Sequence, residues 1–205
     1  LKRYVLDMNV KVNHKGNFYN LTPVEVGSME WDYHGTKVIF DYKSKYIDSS
    51  GESHLIWNIA EINVWDTVSN DFSKGNMHVY YNQLSSELDF RYPSFAKNTT
   101  NLFVHDVFDK RKGLNTVVAW SVTGNNAVRT DVLKTKTLAH PSYTNTDSGL
   151  VITNIDEDGE PALYLVQLKR DKVSVKKGIE PYKLIPERRN PKWFTLGVRT
   201  SIPPS

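Results

Sequence analysis

Three stretches of this chain repeat one order of apolar and polar residues. They are Trp31-Asp-Tyr-His-Gly-Thr-Lys-Val38-Ile39-Phe40, Phe95-Ala-Lys-Asn-Thr-Thr-Asn-Leu102-Phe103-Val104 and Tyr143-Thr-Asn-Thr-Asp-Ser-Gly-Leu150-Val151-Ile152. Each opens with an aromatic, continues through six mostly polar turn formers, and ends on three consecutive apolar residues. Two positions ahead of the aromatic stand Met29, Pro93 and Pro141, and a partial fourth copy runs from Pro191 to Trp193. The pattern predicts an aromatic that closes a short strand and packs inward. A tight hairpin follows, and then a strand buried on both faces, which reads as an apolar run rather than an alternation.

Each unit continues with a third strand that carries an aromatic: Leu55–Ile59, Val117–Val122 and Ala162–Val166. More polar fourth segments follow, Ala127–Val132 and Lys172–Lys176, with the one-sided alternation expected of an edge strand. The equivalent aromatics lie 64, 48 and 50 residues apart, close to the roughly 40–50 residues that four strands and their turns occupy. The longer first unit implies an insertion within about Asp66–Leu84, and Asn82–Phe90 is expected to hold at most one short helical turn. The expected organisation is a partial unit over 1–24, whole units over about 25–88, 89–137 and 138–187, and a partial unit over 188–205. The fold class is all-β: a β-propeller of four-stranded antiparallel blades, about four of them in this chain. They form either a small closed ring or, slightly favoured, part of a larger one.

The repeat resembles the TolB-type (PD40, WD40-like) β-propeller family. That family writes Pro-x-(Trp/Phe)-Ser-Pro-Asp-Gly-x-x-(Ile/Leu)-x-Phe and then a strand ending in Ile-Tyr/Trp-x-x-Asp. The aromatic, the turn length and the apolar triplet are kept in all three units. The Ser-Pro-Asp-Gly core is replaced by Asp32–Gly35, Ala96–Thr99 and Thr144–Asp147, of which only Gly35 matches well. Arg3–Asp7 and Gly16–Thr22 resemble the last two strands of a preceding blade. The resemblance implies an extracytoplasmic scaffold or sensor of the bacterial envelope, periplasmic or extracellular, that binds a protein or peptide.

Composition narrows the chemistry. Aromatics make up 12% of the 205 residues, including 11 Tyr and 5 Trp, which favours sheet. The absence of cysteine excludes disulfides, thiolate metal sites and cysteine nucleophiles. No apolar run is long enough to span a membrane, so no transmembrane segment is expected. Net charge is only +3, but Lys169–Arg199 holds ten Lys/Arg against three Asp/Glu. That segment suits a solvated edge. With no recognition helix and no RNA-binding motif, nucleic acid is not expected.

No catalytic, cofactor or metal constellation stands out: there is no Gly-x-Ser-x-Gly elbow, no His-x-x-x-His pair and no phosphate loop. The acidic run Asn154–Glu160 is expected to be a polar hairpin. The residues that would matter for binding are His34, Trp65, Tyr80, Tyr81, His105, Asp106 and His140. Convergence of the histidines and carboxylates in one pocket would favour an enzyme, such as a polysaccharide lyase-like propeller or the gating domain of a serine peptidase. Dispersal would favour a binding module. Exposed Trp65, Tyr80 and Tyr81 on one rim would mark a carbohydrate-binding surface.

Overall fold

A computed structural model describes residues 10–14, 16–81, 84–99, 101–123 and 126–186. These residues form fifteen strands and no helix. The first sheet is built from β1 (Val10–His14), β2 (Asn17–Trp31), β3 (Lys37–Ile47), β4 (Ser53–Asn63) and β7 (Met77–Val79), in that spatial order. Between β4 and β7 a small hairpin, β5 (Trp65–Asp66) with β6 (Asp71–Phe72), accounts for the added length of the first unit. The second sheet is β8 (Leu88–Phe95), β9 (Leu102–Asp109), β10 (Leu114–Thr123) and β11 (Asn126–Thr135). The third is β12 (Ser142–Tyr143), β13 (Gly149–Ile155), β14 (Pro161–Gln167) and β15 (Tyr182–Pro186). Every pairing is antiparallel.

The three sheets stack face to face in chain order, as the blades of a β-propeller do. Ile39 and Ile59 of the first sheet pack against Phe90, Phe95, Phe103, Val107 and Val118 of the second. The opposite face of the second sheet presents Leu102, Val104, Val117 and Ala119 to Tyr143, Leu150, Ile152 and Val166 of the third. Burial on both faces explains why β9 opens on three consecutive apolar residues, Leu102, Phe103 and Val104, and stays buried through Val107. Among the described residues no helix is long and apolar enough to cross a membrane.

The repeat is real but not gapless. Trp31 pairs with Val38 and Tyr143 with Leu150, whereas Phe95 pairs with Phe103. The hairpin of the second unit therefore holds one extra residue, and Phe103, not Leu102, occupies the place of Val38 and Leu150. The faces agree, because Phe103 and Leu150 both point at the preceding sheet. A one-residue slip exchanges faces, so this assignment decides which side chains are equivalent.

Several expectations need correcting. Phe95 and Tyr143 are buried, at 1% and 0% exposure, but Trp31 is 55% exposed. Phe95 and Tyr143 each lie against the sheet before their own, and no described sheet precedes that of Trp31. The segment 172–176 is not the fourth strand of the third sheet; β15 is. Asp171 instead accepts the N–H groups of Val173 and Ser174 at 3.1 and 3.0 Å in a tight turn. The alternation there arises because Val173 and Val175 pack on the core from a short hairpin in which Val175 bridges Leu168. Residues 88–90 belong to a strand rather than a helical turn. β2 runs from 17 to 31 across position 24, and so attaches the Gly16–Thr22 segment to the first sheet. Arg3–Asp7 and the partial copy at Pro191 lie outside the described residues.

Gly149 marks a point of close approach. A Cβ there would sit 2.8 Å from the Val166 carbonyl oxygen on the neighbouring strand. Gly149→Ala is expected to cost about 1–3 kcal/mol through overpacking, read as a lower urea midpoint with unchanged slope.

Candidate functional site

The inner edges of the sheets are formed by β2 (beyond the β1 pairing), β8 and β12. A repeated device joins them. Asp41 and Asp106 stand at equivalent places, three residues after Val38 and Phe103, and both are 0% exposed. Each reaches toward the next sheet: Asp41 to the irregular stretch within β8, and Asp106 to the segment just ahead of β12. Asp41 Oδ2 accepts the Tyr92 N–H at 3.0 Å, and Asp106 Oδ2 accepts those of Ala139 and His140 at 2.9 and 2.8 Å. Tyr92 and His140 are themselves equivalent, three residues before the aromatics Phe95 and Tyr143. Both adopt left-handed backbone, with φ of 54° and 47°. That costly conformation is held because a buried carboxylate meets its N–H.

Sheet three breaks the series. Thr153 takes the place of the aspartates, and its buried Oγ1 has no hydrogen-bond partner. Replacing it with the isosteric valine should raise stability by about 1 kcal/mol in urea titration, since an unsatisfied buried hydroxyl is removed without loss of volume.

Tyr92 and His140 are also in ring contact, with centroids 3.6 Å apart. The Arg91 guanidinium lies 3.6 Å from the Trp57 ring centre and 4.5 Å from that of Tyr92. The Lys43 ammonium lies over the other part of this ladder, 5.7 Å from Trp57. Rings and cations thus alternate along Lys43, Trp57, Arg91, Tyr92 and His140, partly open to solvent except for the nearly buried Trp57.

The residues singled out from sequence do not converge in one open pocket. His105 is buried between sheets one and two with its ring fully engaged. Nδ1–H donates to the Asp106 carbonyl at 3.0 Å, Nε2 accepts from the Tyr81 hydroxyl at 2.7 Å, and the Trp120 Nε1–H lies 3.1 Å from the same nitrogen. Burial pushes its pKa down to about 3, so the ring is neutral. Asp106 points from the opposite face of β9, and its Oδ1 accepts from Asn115 Nδ2 at 2.6 Å. Burial raises its pKa to about 7 against the lowering by Asn115 and two backbone N–H groups. The adjacent pair is therefore no acid–base dyad.

Tyr81, 7% exposed, stacks on Phe90 inside the core. Tyr80 donates to Glu61 Oε2 at 2.8 Å and packs on Phe103. Neither tyrosine presents a rim surface. Burial raises the pKa of both, Tyr81 to about 12. Trp65 stands on the inserted hairpin, edge-on to Phe72 at 5.3 Å. His34 is exposed in the β2–β3 turn beside Tyr33.

Asp48, Glu52 and His54 bring ligand atoms within 4.8 Å of one another in the β3–β4 turn. Asp48 is already committed there to Ser50, Glu52 and His54, with its pKa lowered chiefly by Ser50 and His54. The acidic hairpin 156–160 closes in the same manner, with Asp156 bound to the N–H groups of Asp158 and Glu160 and to Lys183.

Sequence reading missed Asp41, Trp57, Arg91 and Tyr92. Their one signal was the spacing of Asp and left-handed residue from each repeat aromatic, which becomes visible only after the one-residue insertion is placed.

No family model matches this sequence, and no curated protein matches it. Among solved structures, the chain is similar to the β-propeller domain of the Trilobed protease from Pyrococcus furiosus, described as having an open velcro topology. The similarity has a TM-score of 0.48 and 8% sequence identity over 78% of this chain. The match spans 43% of that chain.

Proposed function

We propose that this chain is a non-catalytic binding module that holds a protein or peptide segment at the inner edges of its stacked sheets. The observation that carries the reading is the Trp57–Arg91–Tyr92–His140 ladder. It is a row of rigid rings and a guanidinium on a scaffold that buried aspartates pin in place. Aromatic and arginine side chains of this kind are the usual anchors of protein interfaces. An enzyme is less well supported, because the buried histidine and carboxylate face opposite ways and spend their polar atoms on the protein. The resemblance to TolB-type repeats supports a place in the bacterial envelope, periplasmic or extracellular. Trp65 and Phe72 on the inserted hairpin support carbohydrate as the second reading.

The test is selection of a displayed random-peptide library on the full chain, followed by amide exchange of the protein with the best binder. Protection is expected at 26–30, 41–43, 57 and 91–92. Binders that protect only the 65–72 hairpin, or no binders from a demonstrably folded protein, would refute the proposal.

A further inference from the structure

The Arg91 side chain is arranged as a receptor rather than as a strut. Its guanidinium carbon is 3.6 Å from the Trp57 ring centre and 4.5 Å from that of Tyr92. Its Nε donates to Asp41 Oδ2 at 3.1 Å. Asp41 is in turn fixed by the Tyr92 N–H and by the Ser28 hydroxyl at 3.2 Å. The plane and direction of the guanidinium are therefore set. Yet its two Nη groups, which carry four N–H donors, make no hydrogen bond with the described protein, although the side chain is only 20% exposed. With Nε committed to Asp41 and the flat faces to the rings, the Nη edge is the part of the guanidinium placed to meet a ligand.

We propose that the Nη end of Arg91 receives a carboxylate of the bound peptide, either an Asp or Glu side chain or a C-terminus. The inference rests on the binding role argued above and names the chemistry of its partner. The two coplanar Nη groups match the two oxygens of a carboxylate, and the stacking rings have already removed the rotamer freedom that a free arginine loses on binding. Asp41 neutralises Arg91 itself. The charge available to the ligand comes from Lys43, whose own partner, Glu25, is 3.7 Å away and more than half exposed.

The experiment uses the full chain and follows the Arg91 Nε–Hε and Trp57 indole resonances by NMR. The probes are N-acetyl-triglutamate amide, N-acetyl-trialanine with a free C-terminus, its amide, and inorganic phosphate. At least one carboxylate peptide should move both resonances saturably, and the tighter of the two identifies the source of the carboxylate. The trialanine amide should move neither. Arg91→Lys keeps the charge and loses the fork, and should weaken binding at least tenfold. Lys43→Gln, which leaves the guanidinium and its stack in place, should weaken it severalfold.

Carboxylate probes that leave the Arg91 signal unmoved, equal affinity in Arg91→Lys, or phosphate binding as tightly as triglutamate would each overturn the assignment. Display-selected peptides that protect 91–92 and carry no carboxylate there would overturn it too, while leaving the binding role standing.

Discussion

Replacing Asp41 with alanine is expected to remove about 3–5 kcal/mol of stability, the largest effect of any single substitution considered for this chain. The figure follows from what the carboxylate holds. Its removal leaves the Arg91 cation without its counter-charge, and a buried pair broken from one side costs about that much. It also strands the Tyr92 N–H, so nothing offsets the left-handed conformation of that residue. Total stability of a domain is about 5–15 kcal/mol, so the variant should be near the edge of folding. Gly27→Ala checks the same point from the other side. A Cβ there would lie 2.3 Å from Asp41 Oδ1 and 3.1 Å from the Trp57 ring, which forces the carboxylate off its partners while leaving it in place chemically. Urea unfolding of both variants is the measurement. A loss below about 1 kcal/mol for Asp41→Ala would mean that the inner edges are held by apolar packing alone.

The distinction between the architecture and the site explains what the sequence disclosed. Strands and their order were legible because burial writes itself as periodicity: β9 and β13 carry the apolar triplets Leu102–Val104 and Leu150–Ile152, and the hairpins before them are runs of turn formers. Lys172–Lys176 misled because alternation does not name a partner: Val173 and Val175 touch the core, but Val175 bridges Leu168 of its own hairpin and β15 takes the place beside β14. Trp31 misled because its counterparts are buried by a neighbour that Trp31 lacks among the described residues. The site was harder. Asp41 and Asp106 look like ordinary strand aspartates, and nothing local says that each reaches a residue 51 or 34 positions away. His105 and Asp106 drew attention as neighbours in sequence, but adjacent residues of a strand face opposite ways, so adjacency was evidence against a shared site. His34 was grouped with His105 and His140 as a histidine, and Trp65 with Tyr80 and Tyr81 as an aromatic of the insertion. His34 stands in the exposed β2–β3 turn and Trp65 meets Phe72 on its own hairpin, while Tyr81 stacks on Phe90 in the core.

His105 and Asp106 nonetheless have a joint consequence, in the pH dependence of stability. Burial lowers His105 from 6.5 to about 3, so between those values the unfolded chain carries a proton that the folded one lacks, and stability rises with pH. Burial raises Asp106 from 3.8 to about 7, so over the same interval the folded chain carries the extra proton, and stability falls with pH. From pH 4.5 to 6.5 each contributes about 2 kcal/mol, with opposite signs, and the wild type should be nearly flat. Removing one group should expose the other. His105→Gln is expected to become less stable by about 2 kcal/mol from pH 4.5 to 6.5, and Asp106→Asn more stable by about the same amount. The carbonyl of the new asparagine can keep the N–H groups of Ala139 and His140, while turning the Asn115 amide to accept from the new NH₂ gives up the Asn115 Nδ2–Thr135 Oγ1 bond, so this variant starts from a lower baseline. The slope rather than the absolute stability is the readout, so lower baselines in either variant do not obscure it. Depressed carboxylates such as Asp109 and Asp156 act mainly below pH 4.5, outside the window. Parallel slopes in the wild type and both variants would mean that neither group changes its proton on folding, and that the faces of β9 are wetter than their burial implies.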